Sequence, residues 1–231
     1  MDFSSFSPGF IIAVVVGLAL APFVAVMVTS FTKIVVVLSL LRNALGLQQV
    51  PPNVVLNGLA IILSIYVMYP VILEVSEAIA VPATEATAPS SSAAPAAPQK
   101  MDVASAADLI NRGKEPLRAF LMKHSSESER AFFLASAKRL LPEDKRDTLA
   151  AQDFLVIVPA FTVSELTAAF QIGFLIFLPF LIIDMIVSNI LLALGMMMLS
   201  PTLVSLPFKL LLFVVLDGWA KLIHGLVLTY A

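Results

Sequence analysis

Long apolar segments dominate both ends of this 231-residue chain, and a polar region separates them. Residues 10 to 28 form an uncharged run that is long enough to cross roughly 30 Å of hydrocarbon as a helix. Apolar residues resume after Lys33 and predict a helix that ends near residue 42, with Gly46 as its C-terminal cap. Val54 to Leu73 then predicts a second membrane segment. The pattern therefore predicts an N-terminal helical hairpin over residues 1–79.

The last part of the chain, residues 154–231, is again mostly apolar and predicts a C-terminal helical hairpin. As one helix, Leu166 to Leu199 would be about 51 Å long, which is more than a bilayer requires. Pro179 lies near its middle, so we expect this helix to be kinked or only partly in lipid. A bend near Pro201 separates it from a last helix over Phe208 to Leu228.

Between the hairpins, residues 80–100 form a Pro/Ala/Ser-rich linker, and residues 101–153 predict a small helical insert. One apolar helix face ends at Gly113, a second begins at Pro116, and Ser126 opens a third helix as part of a capping box. The predicted fold class is an all-α integral membrane protein: two long hairpins with four apolar, kinked helices and a small helical extracytoplasmic insert.

Composition supports this class and excludes others. The chain is 59% hydrophobic and only 13% charged, with a mean hydropathy of +0.97. Its net charge of −2 argues against nucleic acid as a partner. Cysteine is absent, and His124 and His224 do not occur in a metal-binding spacing, so we expect no metal, no cofactor and no catalytic site. No phosphate-binding loop of the G-x-x-x-x-G-K-[ST] type occurs either.

Positive charge predicts the orientation in the membrane. Lys33 and Arg42 are interpreted as marking the bend of the first hairpin, which the positive-inside rule places in the cytoplasm. Met1 and the residues after Glu74 are then extracytoplasmic. Because Lys33 is the first basic residue, the basic region of a cleavable signal peptide is missing, and we expect the first apolar run to be retained.

Residues 154–231 carry five charges within their apolar helices: Glu165, Asp184, Lys209, Asp217 and Lys221. Exposing one such charge to lipid costs about 2.5 to 3.5 kcal/mol. We therefore hypothesise that Asp184, Lys209, Asp217 and Lys221 pair between subunits. A local pair of Asp217 with Lys221, four residues apart, and lysines that reach the head groups are the simpler interpretations. Intramembrane charges also suit an ion-coupled transporter, although no internal repeat supports that class. An extracytoplasmic receptor is less favoured still, since no cytoplasmic domain follows.

Three ordered segments carry a family resemblance. They are SFTKIVVVLSLLRNALGLQQVPPNVVLNGLA at 30–60, FQIGFLIFLPFLIIDMIVSNILLALGMMM at 170–198 and LPFKLLLFVVLDGW at 206–219. They cover the first hairpin and nearly all of the second, and they resemble the signature blocks of the FliP/SctR family of bacterial type III export systems. The segment from Gly113 to His124 is similar to the family pattern G-x-x-P-L-R-x-F as well.

This resemblance implies a homo-pentamer that assembles with FliQ/SctS-like and FliR/SctT-like subunits into a cone-shaped export gate. The gate would lie in the bacterial inner membrane, at the centre of the basal body, and would conduct unfolded secreted proteins with energy supplied by other components. Its helices would be lifted largely out of the bilayer. Met196, Met197 and Met198 match the family's methionine-rich pore constriction. Flagellar members often begin with a signal peptide, so we favour a virulence injectisome and keep the flagellar gate as the alternative.

Overall fold

The computed structural model describes residues 8–80, 103–196 and 198–231, and the regular structure in these ranges is helical throughout. All but the first residue of the linker predicted over 80–100 lies outside the described residues, as does Met197. The helices are α1 Pro8–Val28, α2 Phe31–Ala44, α3 Asn53–Ala80, α4 Val103–His124, α5 Glu127–Leu140, α6 Glu143–Arg146, α7 Phe154–Ala193, α8 Pro201–Val215 and α9 Gly218–Leu228. The predicted all-α class is confirmed.

Among the described residues, two helices, α3 and α7, are long and apolar enough to cross a membrane. Two further candidate spans are bent pairs: α1 and α2 meet at 65°, and α8 and α9 meet at 61°. If each bent pair is one span, up to four spans result, as expected for an integral membrane protein. The prediction of one last helix over Phe208 to Leu228 is wrong, because the chain breaks at Asp217, whose φ is +51°.

Helix α7 is the longest element, with 40 residues and a length of about 60 Å. It begins at Phe154, well before the predicted start at Leu166, and it contains both Pro159 and Pro179. It ends in a Schellman motif at Gly195, whose φ is +74°. There the Met196 amide donates to the carbonyl of Leu191 at 2.9 Å.

Helix α2 lies at the centre of the fold, between α3 and α7. Its buried residues Ile34, Val37, Leu38 and Leu41 follow the i, i+3, i+4, i+7 spacing of one helix face. The backbones of α2 and α7 approach closely at Gly173, where an added Cβ would lie 2.2 Å from Leu40 Cδ1. Gly46 caps α2 as predicted: its φ is +77°, and the next amide, of Leu47, donates to the Arg42 carbonyl at 3.3 Å.

The insert packs on the long helices. Helix α4 is continuous through Gly113 and Pro116, so the predicted break between two short helices is wrong. Gly113 faces the side chain of Ile79 on α3, and this packing supports the helix where the local sequence favours a break. Helix α5 begins after Ser126 as predicted, but the Ser126 hydroxyl makes no capping bond. Instead, the Ser126 amide donates to Ser164 Oγ on α7 at 2.8 Å.

Candidate functional site

A buried charge cluster lies at the N-terminal end of α2. Lys33 Nζ is 3.0 Å from Glu165 Oε1, and the two side chains are only 5% and 3% exposed. The Tyr230 hydroxyl donates to Glu165 Oε2, so both carboxylate oxygens are occupied. Lys33 Nζ also lies 3.9 Å from the centroid of the Tyr230 ring and 3.5 Å from Thr229 Oγ1. A carboxylate, a hydroxyl and an aromatic face thus replace the water that the ammonium loses on burial.

Local structure brings these groups together. The bend between α1 and α2 places Lys33 in the first turn of α2, and the Thr32 hydroxyl donates to the Val26 carbonyl across that bend at 2.9 Å. Ser30 Oγ donates to Ser64 Oγ on α3 at 3.1 Å, and this buried bond links the bend to the second helix of the hairpin. Glu165 comes from α7, and Tyr230 follows the end of α9.

These contacts correct the interpretation of Lys33 as a marker of the hairpin bend. Lys33 is buried at one end of α2, whereas the turn between α2 and α3 follows the other end. Arg42 does lie beside that turn, where its guanidinium donates to the Pro51 carbonyl at 3.2 Å and to Asn53 Oδ1 at 2.6 Å. Of the two charges used to orient the chain, only Arg42 is therefore at the turn. The orientation itself stays a prediction.

A second charge cluster lies at the C-terminal end of α2. Lys209 Nζ is 2.6 Å from Asp184 Oδ2 and donates to the Ala44 carbonyl at 3.2 Å. Ser205 Oγ donates to Asp184 Oδ1. The Ala44 carbonyl belongs to the last turn of α2, where carbonyls lack helical partners and the helix dipole favours a cation. The two buried lysines, Lys33 and Lys209, therefore lie at opposite ends of the central helix α2. Each of them connects its end of α2 to a carboxylate of α7.

The sequence-based hypothesis assigned Lys209 and Asp184 to contacts between subunits, but the structure pairs them within one chain. The physical reason is that α8 folds back along α7, so that these two residues meet at one level of the hairpin. The Lys209 side chain is 3% exposed and the Asp184 side chain 36% exposed. Burial of Lys209 thus needs no partner from a neighbouring subunit.

Asp217 and Lys221 have a different environment, since both side chains are exposed. Within the described residues, no ion pair joins them; their link is a backbone hydrogen bond of 3.1 Å from the Lys221 amide to the Asp217 carbonyl. At the break that follows Asp217, the Phe213 ring lies against Gly218, where an added Cβ would be 2.2 Å from a ring carbon. A role for Asp217 and Lys221 between subunits stays a prediction.

The predicted methionine gasket falls in the loop between α7 and α8. The Met196 side chain is 46% exposed and the Met198 side chain 100% exposed, whereas Met197 lies outside the described residues. Gly195 ends α7 immediately before these residues. The two described methionines are therefore presented away from the core of their own chain and do not fill it.

An apolar groove with a volume of about 390 Å³ runs between α7 and α8. It is lined only by aliphatic and aromatic side chains, among them Ile183, Ile190 and Phe208. In the part of the chain that the structure describes, no group of three or more histidine, aspartate or glutamate residues could hold a metal ion. The candidate site therefore consists of apolar packing surfaces and of buried charges that are neutralised by ion pairs.

Glu165 and Tyr230 are the residues that sequence reasoning misses. The sequence identifies Glu165 as a charge in an apolar helix but assigns it no partner, and nothing in the local pattern singles out Tyr230. The available signal is that Lys33 and Glu165 are lone charges of opposite sign in apolar segments, where unpaired burial is costly.

Comparison with known proteins extends over nearly the whole chain. The FliP family model matches residues 14–226. Over 220 residues the chain is 49% identical to the hypersensitivity response secretion protein HrcR of Ralstonia nicotianae, covering 95% of this chain and 96% of that protein. Over 213 residues it is 50% identical to the Yop proteins translocation protein R of Yersinia pestis, covering 92% of each. Over 212 residues it is 39% identical to the flagellar biosynthetic protein FliP of Bacillus subtilis, covering 92% of this chain and 87% of that protein.

Proposed function

Because the chain belongs to the FliP family, we propose that it is a core subunit of a type III export gate and forms the entrance of a channel for unfolded secreted proteins. The observation that carries the proposal is the family match over residues 14–226, which spans both hairpins and the insert. The subunit provides a passage and no chemistry of its own, so energy comes from other components of the secretion system.

The distribution of charge and apolar surface supports a role in assembly. Lys33 and Lys209 are neutralised inside the chain, while large apolar side chains of α7 remain exposed, for example Leu175 at 66% and Leu192 at 61%. The groove between α7 and α8 adds a concave apolar surface. Such surfaces are typical of contacts with other membrane helices or with lipid. In the proposed gate they pack against copies of this chain in a homo-pentamer and against FliQ/SctS-like and FliR/SctT-like subunits.

The loop between α7 and α8 is the proposed pore constriction. The exposure of Met196 and Met198 supports the methionine gasket that we expect at residues 196–198 from the family resemblance. A ring of flexible thioether side chains can close into an apolar seal and can repack around unlike polypeptides in transit. In this proposal the gasket limits leakage while the gate is at rest.

Identity to the relatives supports an injectisome more than a flagellum. The relatives named for hypersensitivity response secretion and for Yop translocation are 49% and 50% identical to the chain, whereas two flagellar relatives are 39% and 44% identical. We therefore assign the chain to a virulence-type secretion system, in the inner membrane and within the basal body. The apolar helices α3 and α7 suit that location by length and composition.

The test is the mass of the detergent-solubilised complex after co-expression with the FliQ/SctS-like and FliR/SctT-like subunits of the same system. Native mass spectrometry should show several copies of this chain with both partners, five copies in the proposed stoichiometry. A monomer or a simple dimer that binds neither partner would contradict the proposal and would favour an ion-coupled transporter.

A further inference from the structure

A cavity of about 390 Å³ lies where α3, α4 and the residues after α9 meet. Phe120 and His124 of α4 line it together with Tyr230. The three rings form one cluster: the centroids of Phe120 and His124 are 4.7 Å apart, and those of His124 and Tyr230 are 5.1 Å apart with an edge-on geometry. The last turns of the insert helix α4 therefore contact the C-terminal segment through the His124 imidazole and through the Phe120 ring, which stacks on the Tyr230 ring with centroids 6.2 Å apart.

Tyr230 links this cluster to the buried ion pair. Its hydroxyl donates to Glu165, and its ring lies under the Lys33 ammonium. Burial raises the pKa of the Tyr230 hydroxyl, which therefore stays a hydrogen-bond donor. One aromatic residue thus contacts both the ion pair that joins α2 to α7 and the imidazole at the end of α4.

The charges around His124 are mainly positive. Lys123 is its neighbour on α4, and Lys33 lies across the Tyr230 ring. From α5, the Arg130 guanidinium donates to the carbonyls of Met122 and Ser125 on either side of His124, at 2.8 and 2.6 Å.

The nearby acidic groups offset part of this positive charge but do not bond to the imidazole. The Glu165 carboxylate is already bonded to Lys33 and Tyr230. Glu74 of α3 lines the cavity, but its side chain is exposed to solvent. Among the described residues, no carboxylate is hydrogen-bonded to the His124 imidazole. Burial, followed by the charges of Lys123 and Lys33, lowers the pKa of His124 to about 4.

We propose that His124 is a proton-sensitive latch between the insert and the long helices. The neutral imidazole packs against the rings of both Phe120 and Tyr230 and helps to hold the end of α4 in place. When the imidazole takes up a proton from solvent, the new cation is repelled by Lys33 and Lys123 and gains hydration by leaving the cavity. Acidification on the side of the insert then separates α4 from Tyr230. This separation exposes Tyr230, which contacts both members of the Lys33–Glu165 pair.

The direction of the pH effect on docking follows from the linkage between proton binding and docking. In the released state His124 titrates near its ordinary pKa of 6.5, whereas in the docked state the pKa is about 4. The released state therefore binds more protons between these values, and docking weakens as pH falls below 6.5. The full shift would favour release about 30-fold at pH 5 relative to pH 7.5. Since the imidazole is only half-buried, we expect about tenfold.

The test is amide hydrogen exchange of the full-length chain in detergent, at pH 7.5 and at pH 5. Protection factors, which remove the intrinsic effect of pH on exchange, should fall about tenfold over residues 117–124 in the parent and should not change in the first turns of α5. His124→Gln is neutral at both pH values and should abolish this pH dependence. His224→Gln, at the other histidine, is the matched control and should behave like the parent. Equal protection at both pH values in the parent, or an unchanged pH response in His124→Gln, would overturn the latch.

A second measurement applies even if His124→Gln does not fold. In the His224→Gln chain, His124 is the only histidine, so its imidazole gives one carbon resonance after histidine labelling. A titration midpoint well below 6.5 supports a docked, neutral imidazole. A midpoint at or above 6.5 contradicts the proposal.

Discussion

The Lys33–Glu165 pair offers the sharpest test of how the charges hold this fold together. In Glu165→Gln the side chain keeps its size, and its amide oxygen can still accept the Tyr230 hydroxyl. The Lys33 ammonium, however, loses its counter-ion while its side chain remains only 5% exposed. Removing one member of a buried ion pair costs about 3 to 5 kcal/mol, because an uncompensated charge stays in a medium of low dielectric constant. We expect a loss of stability in that range.

Removing both charges should reverse most of this loss. Lys33→Met retains much of the volume of the lysine stem, and replacing a buried ion pair by uncharged side chains of similar size is often close to neutral. The double variant Lys33→Met/Glu165→Gln should therefore be within about 1 kcal/mol of the parent, and the coupling energy should exceed about 2 kcal/mol.

The assay is reversible unfolding of the detergent-solubilised chain with increasing SDS, followed by circular dichroism and by the fluorescence of Trp219, the single tryptophan. A matched control is Glu143→Gln, which breaks an exposed ion pair with Arg146. In that pair, Arg146 Nη1 lies 3.5 Å from Glu143 Oε1. An exposed pair contributes at most about 1 kcal/mol. If Glu165→Gln costs no more than Glu143→Gln, or if the double variant shows the sum of both single losses, the two buried charges do not stabilise the fold by neutralising each other.

Other parts of the molecule lead to four further predictions. Gly173→Ala forces a Cβ to within 2.2 Å of the facing leucine on α2 and should cost about 1 to 3 kcal/mol in the same SDS assay; an unchanged midpoint would show that the two helices separate easily. Asp217→Ala should lower the recovered oligomer more than the protein level on native gels, because an exposed charge matters mainly for contacts with other subunits; parent-like assembly and secretion would count against this. Alanine at all of residues 196–198 should leave assembly intact but cause ion leakage through the co-expressed complex; a fully assembled variant without leakage would identify these methionines as filler. Cysteines at Ser91 and Gln48 should react with a membrane-impermeant reagent from opposite sides, position 91 from outside, and labelling of both from one side would refute the predicted orientation.

Local sequence features were sufficient to predict a structural feature where the cause of that feature is local. Gly46 ends α2 as predicted, since a residue with positive φ at a helix end favours glycine regardless of what surrounds it. The long apolar runs predicted α3 and much of α7, because length and hydropathy are properties of the segment alone. Where packing opposes the local preference, prediction failed. Helix α4 continues through Gly113 because Ile79 of α3 packs against it.

From the sequence alone it followed that this chain is a helical membrane protein of the FliP type with charges that need partners, since composition and ordered motifs are properties of the chain itself. Which partners they find was decided only by the tertiary structure. Lys33 and Glu165 are far apart in sequence, and the electrostatic cost of burial requires a counter-ion without specifying which one. The pairing depends on α2 and α7 packing side by side, with Lys33 at one end of α2 and Lys209 contacting the Ala44 carbonyl at the other. Tyr230 and His124 enter the same network for the same reason: distant segments share a position that only the packing of the helices creates.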